Sequence, residues 1–381
     1  MTNRTISSLA DLADPAHCPR LVVKVGSALL VDATGPRRQW LAGLVAELAA
    51  RRAAGQQVIV VSSGAIALGA RRLGLDKGGR GSLADAQAAA AVGQIALSGL
   101  WAELLGSHDL AAAQLLLTLE DMEDRRRYLN ATATLARLLD AGAVPVVNEN
   151  DSVATEEIRF GDNDRLAARV AQAAKADAVL LLSDVDGLYD RHPDEAGATR
   201  LPLVRGITPE VRAMASARSG SGMGSGGMAS KLQAAEIAER AGIVLAIGNG
   251  QVERPLERVM AQGVGTLFVP GASRRAGARK VWLGGRLRLK GHLEIDAGAA
   301  RALGGGASLL AAGIRAVNGR FARGDAVAIV GPEGAVLAHG LTEYDSSECA
   351  AIAGRQSADQ AALLGYAPRS AVVHRDQLVL L

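Results

Sequence analysis

The chain has 381 residues, of which 49% are hydrophobic and 21% are charged, and its formal net charge is +3. This length predicts two or three domains, and the composition is typical of a globular protein and excludes a disordered one. The only cysteines, Cys18 and Cys349, are far apart, which fits a reducing compartment and excludes a zinc or disulfide framework. We find no apolar run long enough to span a bilayer and no signal-peptide pattern at the N-terminus, so we expect a cytoplasmic protein.

Apolar runs alternate with helical periodicity throughout residues 20–268. In chain order we predict a strand at 20–26, a helix at 37–54, a strand that turns into a helix over 57–69, a helix at 82–106, a strand at 111–118, a helix at 124–141, a strand at 143–151, a helix at 163–175, a strand and turn at 178–189, a helix at 228–241 and a strand at 243–250. This alternation predicts an α/β fold, a three-layer sandwich whose mainly parallel sheet is covered on both faces.

After about residue 270 the chain changes to short strand-like runs between glycine-rich turns. The runs HLEI, GIRAVNG, DAVAIVG, AVLAHG and AVVH predict a small, mainly β domain. We therefore expect an α/β domain at 18–268, a linker at 269–287 and the small domain at 288–370. Segment 274–290 holds seven Lys or Arg and no acid, whereas 291–381 has a net charge of −2, so basic charge is concentrated at the junction.

Polar clusters follow several predicted strands of the α/β part. They are Lys24–Ser27, Ser62–Gly64, Asn148–Asp151, Ser183–Asp184 and Gly248–Gly250. In parallel α/β sheets, ligands bind beyond the carboxyl ends of the strands. Any one cluster could be ordinary turn chemistry, but five at one rim predict a binding site.

The segment SGSGMGSGGMASK (219–231) is rich in glycine and runs into a predicted helix. Glycines let the backbone approach an anion, and a helix N-terminus offers free N–H groups to it. The segment could also be a flexible linker, but its position within the α/β alternation favours a phosphate-binding loop. It is not a Walker A sequence, because Lys231 follows Ser230 and precedes Leu232.

Lysine is rare in this chain, with six among 42 basic residues. Where arginine serves as the usual cation, a lysine beside a glycine-rich turn indicates a need for a compact ammonium group, although chance remains an alternative. Lys24 and Lys231 are in such positions. The acids of GDND (161–164) start a predicted helix, where they can cap the helix or hold lysine ammonium groups.

The motifs together resemble the glutamate 5-kinase branch of the amino acid kinase family. They are, in order over 20–268, VVKVGS, SSGAIALG, AAVGQ, DMEDRRRYLNA, PVVNENDSVA, GDND, LLLSDVDGLY and GSGGMASK. The runs IDAGAARAL, GASLLAAGI, VNGRFARGDAV and AHGLTEYDS resemble the PUA domain that many bacterial members carry. The resemblance implies ATP- and Mg²⁺-dependent phosphorylation of the side-chain carboxylate of L-glutamate to L-glutamyl 5-phosphate, the first step of proline biosynthesis.

The resemblance also implies roles for individual residues. Lys24 and Lys231 would neutralise the transferred phosphoryl group, and Asp164 would orient them. Glutamate-binding positions match Ser63, Asp151 and Asn163, in a pocket shaped by Asn148 and Asn150. Nucleotide-binding positions match Lys24, Ser183, Asp184, Ser225, Gly226, Gly227, Met228, Ala229, Ser230 and Lys231. Because a glutamate carboxylate, with a pKa of about 4.3, is ionised at neutral pH, no general base is needed and none is evident.

Partners and alternatives follow from the same resemblance. It implies feedback inhibition by proline, a homo-oligomer and transfer of the product to a glutamyl phosphate reductase, and we expect no membrane partner and no protein-only metal site. One alternative is another amino acid kinase, such as an N-acetylglutamate kinase or an aspartokinase, against which NENDSVA and the PUA-like tail argue. A second is an RNA-binding protein, which the slightly acidic tail and the 3% aromatic content disfavour.

Overall fold

The computed structural model describes residues 5–32, 35–153, 162–216, 227–271 and 289–381. The chain divides into two compact units, Met1–Ala276 and Gly277–Leu381. Most of the expected linker at 269–287 lies outside the described residues, as do Ser225 and Gly226 of the expected nucleotide site.

The described part of the first unit contains ten strands. They are β1 (Arg20–Val25), β2 (Val31–Asp32), β3 (Gly35–Pro36), β4 (Gln57–Ser62), β5 (Ala112–Leu117), β6 (Val144–Glu149), β7 (Ala178–Ser183), β8 (Leu203–Arg205), β9 (Val244–Asn249) and β10 (Thr266–Val269). Eight of them form one sheet in the order β5-β6-β4-β1-β7-β9-β10-β8, and β2 and β3 pair with each other. All neighbours in the large sheet are parallel except β9 and β10. The predicted mainly parallel sheet is therefore confirmed.

Helices cover both faces of this sheet. They are α1 (Ser27–Leu30), α2 (Arg38–Ala53), α3 (Ala65–Leu73), α4 (Leu83–Gly106), α5 (Leu119–Glu123), α6 (Arg125–Asp140), α7 (Asp162–Ala174), α8 (Pro209–Ser216), α9 (Met228–Arg240) and α10 (Pro255–Met260). One core cluster packs beneath α2, α4 and α10, and the other beneath α6, α7 and α9. The sheet and the helices on its two faces are therefore the three layers of the sandwich, and the two clusters fill the spaces between them.

Strand β1 lies at the point where the strand order reverses. The chain continues from β1 to β4 on one side and later to β7 on the other, which opens a crevice at the carboxyl ends of β1 and β7. Side chains alternate along a strand, so Leu21, Val23 and Val25 face the α2–α4 core, whereas Val22 faces the α7–α9 core. Lys24 is two residues after Val22, so its side chain lies on the same face of the sheet, the face that α7 and α9 cover.

Short elements depart most from the sequence-based expectation. The β2–β3 hairpin, β8, β10 and α10 span two to six residues each, too few to show a period, and they were not predicted. Helix α8 was also missed. The antiparallel β10 returns the chain from α10 along β9, pairing Phe268 with Leu245.

Helix α4 differs from the expectation that no run could span a membrane. Its 24 residues meet the length and hydropathy of such a span, with a mean hydropathy of 1.4 over 18 residues, of which 39% are buried here. The helix packs against α3 and sends Leu97, Leu100 and Trp101 into the core. Length and composition alone are weak evidence for a span, because core helices of globular proteins pass the same test.

The second unit is a five-stranded sheet with short helices. Its elements are β11 (Gly291–Ile295), α11 (Ala297–Gly304), β12 (Ile314–Gly319), β13 (Ala326–Val330), β14 (Val336–Leu341), α12 (Ser346–Ile352), α13 (Ser357–Leu364) and β15 (Leu378–Leu380). The strand order is β12-β11-β13-β14-β15. Four of the five predicted runs are strands. The prediction for AVVH was wrong, because Val373 makes only an isolated bridge to Leu309 and the edge strand lies at β15 instead.

Candidate active site

Three predicted catalytic side chains meet above the carboxyl end of β1. The Lys24 ammonium lies 2.5 Å from Oδ1 of Asp164, and the Lys231 ammonium lies 3.5 Å from Oδ2 of the same carboxylate. The hydroxyl of Ser230 lies 3.4 Å from Oδ2. Lys24 comes from β1, Asp164 from the first turn of α7, and Lys231 from the first turn of α9.

The electrostatics of this cluster favour the ionised form of Asp164. The side chain of Asp164 is 1% exposed, and those of Lys24 and Lys231 are 10% and 8% exposed. Burial acts to raise the pKa of Asp164, but the adjacent charges of Lys24 and Lys231 outweigh it and hold this pKa below its ordinary value. One carboxylate thus lies between two ammonium groups, which leaves a net positive charge of one for the three side chains.

Apart from Lys24, the expected nucleotide-binding residues that the structure describes lie at the carboxyl end of β7 and at the start of α9. The Ser183 hydroxyl donates to Oδ1 of Asp184 at 2.8 Å, and the Ser183 carbonyl accepts from the Gly250 N–H at 2.7 Å. Residues Met228–Lys231, which end the glycine-rich segment and start the predicted helix at 228–241, form the first turn of α9. The Met228 side chain packs in the core, whereas Gly227 and Ala229 are exposed.

The start of α9 is a local consequence of its sequence. Gly227 is the N-cap of α9, and glycine has no side chain that could cap the helix. Since a helix N-terminus attracts anions, this end of α9 suits a phosphate beside Lys231.

The expected glutamate-binding residues lie on the other side of β1. Ser63 follows β4, and its N–H donates to the Val25 carbonyl at 3.2 Å, which ties the two strand ends together. Gly64 has a φ of +102°, which glycine adopts without strain, and α3 begins at the next residue. Asp151 is buried at the start of a short 3₁₀-helix, Asp151–Val153, directly after β6.

Asn163 joins this group through Asn148. The Asn163 side-chain amide N–H donates to Oδ1 of Asn148 at 3.3 Å, and the Asn148 amide N–H donates to Oε1 of Gln94 at 2.8 Å. Gln94 in turn lines a cavity of about 320 Å³, a volume in the range of small-molecule sites. Its polar lining residues are Gln94, Gln114, Glu149, Asn150, Asp151 and Ser152.

Sequence reasoning missed two residues of this region. Gln94 was quoted within AAVGQ, but it was given no role, because an alanine-rich helix shows no polar face that would single it out. Burial lowers the pKa of Arg80, and the negative charge of Asp151 acts in the opposite direction, so the two side chains interact. The only signal for Arg80 was its place in the turn GGRG.

Comparison with known proteins supports a specific family. Residues 19–249 match the amino acid kinase family, and residues 291–364 match the PUA domain. The chain is 68% identical over 377 residues to the glutamate 5-kinase of Novosphingobium aromaticivorans, which covers 99% of this chain and 100% of the relative. It is 64% identical to the glutamate 5-kinase of Sphingopyxis alaskensis over 371 residues, covering 97% and 100% of the two chains.

A more distant sequence match gives the same result, whereas the match to a solved structure is weak. The glutamate 5-kinase of Zymomonas mobilis is 56% identical over 369 residues, covering 96% of this chain and 92% of the relative. A solved carbamate kinase from Giardia lamblia aligns with a TM-score of 0.48 and 13% identity over 66% of this chain and 98% of its own, a similarity that carries no functional inference. The sequence matches are sufficient: the chain belongs to the amino acid kinase family, among its glutamate 5-kinases.

Proposed function

We propose that this protein transfers the γ-phosphoryl group of ATP to the side-chain carboxylate of L-glutamate. A carboxylate oxygen of glutamate forms the new bond to the γ-phosphorus, and the bond between that phosphorus and the bridging oxygen of ATP breaks. ADP leaves with that bridging oxygen, and glutamyl 5-phosphate is the other product. Glutamate is ionised at neutral pH, so no proton has to be removed from it.

The observation that carries this proposal is the placement of Lys24 and Lys231 on either side of Asp164. Phosphoryl transfer needs positioning and charge neutralisation more than covalent chemistry from the protein. Two ammonium groups from different elements, held by one buried carboxylate, can contact phosphoryl oxygens from two directions. The carboxylate keeps them preorganised before the substrates bind.

Each remaining site residue has a proposed partner. Ser63, Asp151 and Asn163 would bind glutamate, because they follow β4, follow β6 and start α7, and Asp151 lines the cavity after β6. Ser183, Asp184 and the start of α9 would bind ATP, together with Ser225 and Gly226, which lie outside the described residues. The proposal thus assigns the substrates to opposite sides of Lys24, so the phosphoryl group crosses above this side chain.

Magnesium fits this arrangement as a companion of ATP. Within the described ranges no three His, Cys, Asp or Glu side chains are grouped as a metal site, and both oxygens of Asp164 face lysines. Mg²⁺ commonly binds through substrate phosphates with few protein ligands. When bound, it would neutralise charge on the ATP phosphates, while Lys24 and Lys231 hold the transferred group.

Regulation and assembly extend the proposal. Proline has the α-carboxylate and amine of glutamate without the acceptor carboxylate, so we propose that it inhibits by occupying the glutamate site. We also propose a homo-oligomer that passes its product to a glutamyl phosphate reductase, and a division into a kinase domain at 18–268 and a PUA-like domain at 288–370.

The test is ADP release with four acceptors: glutamate, aspartate, N-acetylglutamate and carbamate. We expect glutamate to give the highest kcat/KM. Preferential turnover of N-acetylglutamate or carbamate would assign the chain to another activity within the same fold.

A further inference from the structure

A chain of side-chain amides connects the proposed glutamate site to helix α4. Asn163, Asn148 and Gln94 form its three links, and they come from α7, β6 and α4. Gln94 Nε2 continues the chain with 3.2 Å to the Ser98 hydroxyl and 3.4 Å to Oε1 of Gln114. We call Asn163, Asn148 and Gln94 the amide relay.

The direction of every hydrogen bond in the amide relay follows from one main-chain group. The Glu149 N–H donates to Oδ1 of Asn148 at 2.9 Å, and a main-chain N–H cannot act as an acceptor. Oδ1 of Asn148 is therefore on that side, and its NH₂ must face Gln94. Since Gln94 presents Oε1 at 2.8 Å to this NH₂, its own NH₂ points toward Ser98 and Gln114.

The same direction decides which atom Asn163 offers to a ligand. Its NH₂ donates to Oδ1 of Asn148, so its Oδ1 points the other way. That oxygen is buried and accepts no hydrogen bond from any residue that the structure describes. A buried carbonyl oxygen without a donor costs free energy, which a bound donor would recover.

The neighbouring cavity has the charge that a donor requires. Among the residues that the structure describes, its lining contains two carboxylates, Glu149 and Asp151, and no Lys, Arg or His, and Arg80 interacts with Asp151 from outside this lining. An α-ammonium group, with three N–H donors, matches both the acceptor of Asn163 and this negative lining. An acylated nitrogen carries no charge and a single N–H, so it matches poorly.

We propose that Gln94 is a positioning residue, which acts through Asn148 to hold the Asn163 carbonyl toward the α-ammonium group of the substrate. This inference rests on the proposed function and assigns the amino-group selectivity of that site. Without an acceptor at position 94, the buried NH₂ of Asn148 loses its partner, and the Glu149 N–H alone still holds this side chain, so Asn148 and with it Asn163 are held less firmly. Asn148 is 2% exposed, so its NH₂ is removed from bulk solvent and depends on Gln94 for its acceptor.

The test compares glutamate with glutarate, which is glutamate without its amino group. We would measure kcat/KM for both acceptors by ADP release or, where glutarate turns over too slowly, its competitive inhibition constant against glutamate. In Gln94→Met, which removes the acceptor at nearly constant volume, the preference for glutamate over glutarate should fall by about tenfold, as expected for a lost hydrogen bond to a charged group. KM for ATP should stay unchanged.

Two further variants separate positioning from packing. Gln94→Glu keeps an acceptor opposite Asn148 and should retain the preference, whereas Gln94→Lys, a second route should Gln94→Met not fold, places a donor there and should lose it. Gln262→Met makes the same chemical change at an exposed residue that bonds Arg258 and should have no effect. A general packing defect would lower turnover of both acceptors equally.

The outcomes distinguish the two levels of the proposal. Wild-type protein that does not phosphorylate glutamate overturns the proposed function. Wild-type protein that does so, together with an unchanged glutamate-to-glutarate preference in folded Gln94→Met or Gln94→Lys, overturns only the role of Gln94.

Discussion

Replacing Asp164 by asparagine tests the charge arrangement at the centre of the site. The substitution conserves shape but removes the charge that faces Lys24 at 2.5 Å and Lys231 at 3.5 Å. At an effective dielectric constant of about 20, a pair of unit charges 3.5 Å apart attracts by roughly 5 kcal/mol. Desolvation offsets much of this attraction, and removing one partner of a buried pair typically costs about 3–5 kcal/mol.

We therefore expect Asp164→Asn to lower the free energy of unfolding by about 3 kcal/mol or more near neutral pH. It should also lower kcat by about 100-fold, because the two ammonium groups lose the carboxylate that positions them. Urea unfolding and ADP release on the same preparations give both quantities. The control is Glu103→Gln, which removes an ion pair with Arg38 whose side chains are 60% and 53% exposed and should cost below about 1 kcal/mol.

The pH dependence of this difference has a definite sign. The pKa of Asp164 is lowered in the folded protein, so its stabilising contribution is complete above the unfolded-state value of about 3.9. The contribution is lost as the pH falls through the pKa of Asp164 in the folded protein. The difference in free energy of unfolding between wild type and Asp164→Asn should therefore become smaller in that pH range. A difference in free energy of unfolding of under 1 kcal/mol at pH 7, together with a kcat within fivefold of wild type, would refute the reasoning.

Three further predictions concern the lysine, the inhibitor and the second unit. Lys231→Ala should lower kcat on the order of 100- to 1000-fold with little change in KM for glutamate. Lys231→Arg should recover little of this activity, since a planar guanidinium does not replace a compact ammonium. A near-wild-type kcat in Lys231→Ala would show that Lys231 takes no part in the chemistry. Proline should inhibit ADP release competitively with glutamate, and inhibition that persists at saturating glutamate would require a separate site. A chain that ends near residue 280 should remain folded and phosphorylate glutamate, because all proposed site residues precede residue 250; loss of activity in a folded truncation would place part of the site in the second unit.

The sequence was most informative for elements that show a clear hydrophobic period and have polar or charged residues at their ends. The parallel strands and their long helices could be predicted because each spans enough residues to show its period, as β1, β4 and α9 do. Lys24, Asp164 and Lys231 come together because each ends a strand or starts a helix at one rim. That geometry follows from the topology once β1 is recognised as the point where strand order reverses.

Features that depend on contacts between distant residues could not be predicted. The amide relay brings Gln94, Asn148 and Asn163 from three elements, and its direction depends on the main-chain N–H of Glu149. No spacing in the sequence encodes the bonds that join Asn148 to Gln94 and to Asn163. The antiparallel β10 was missed for a different reason, because four residues, TLFV, carry no signal of strand direction.

Trapping of the product tests the central claim most directly. Wild-type protein with ATP, Mg²⁺ and hydroxylamine should convert glutamate to its γ-hydroxamate, because an acyl phosphate reacts with hydroxylamine at the activated carbonyl. The hydroxamate should form in proportion to ADP and should be nearly absent with N-acetylglutamate. ADP release without hydroxamate, or a faster yield from N-acetylglutamate, would contradict phosphorylation of the glutamate side chain.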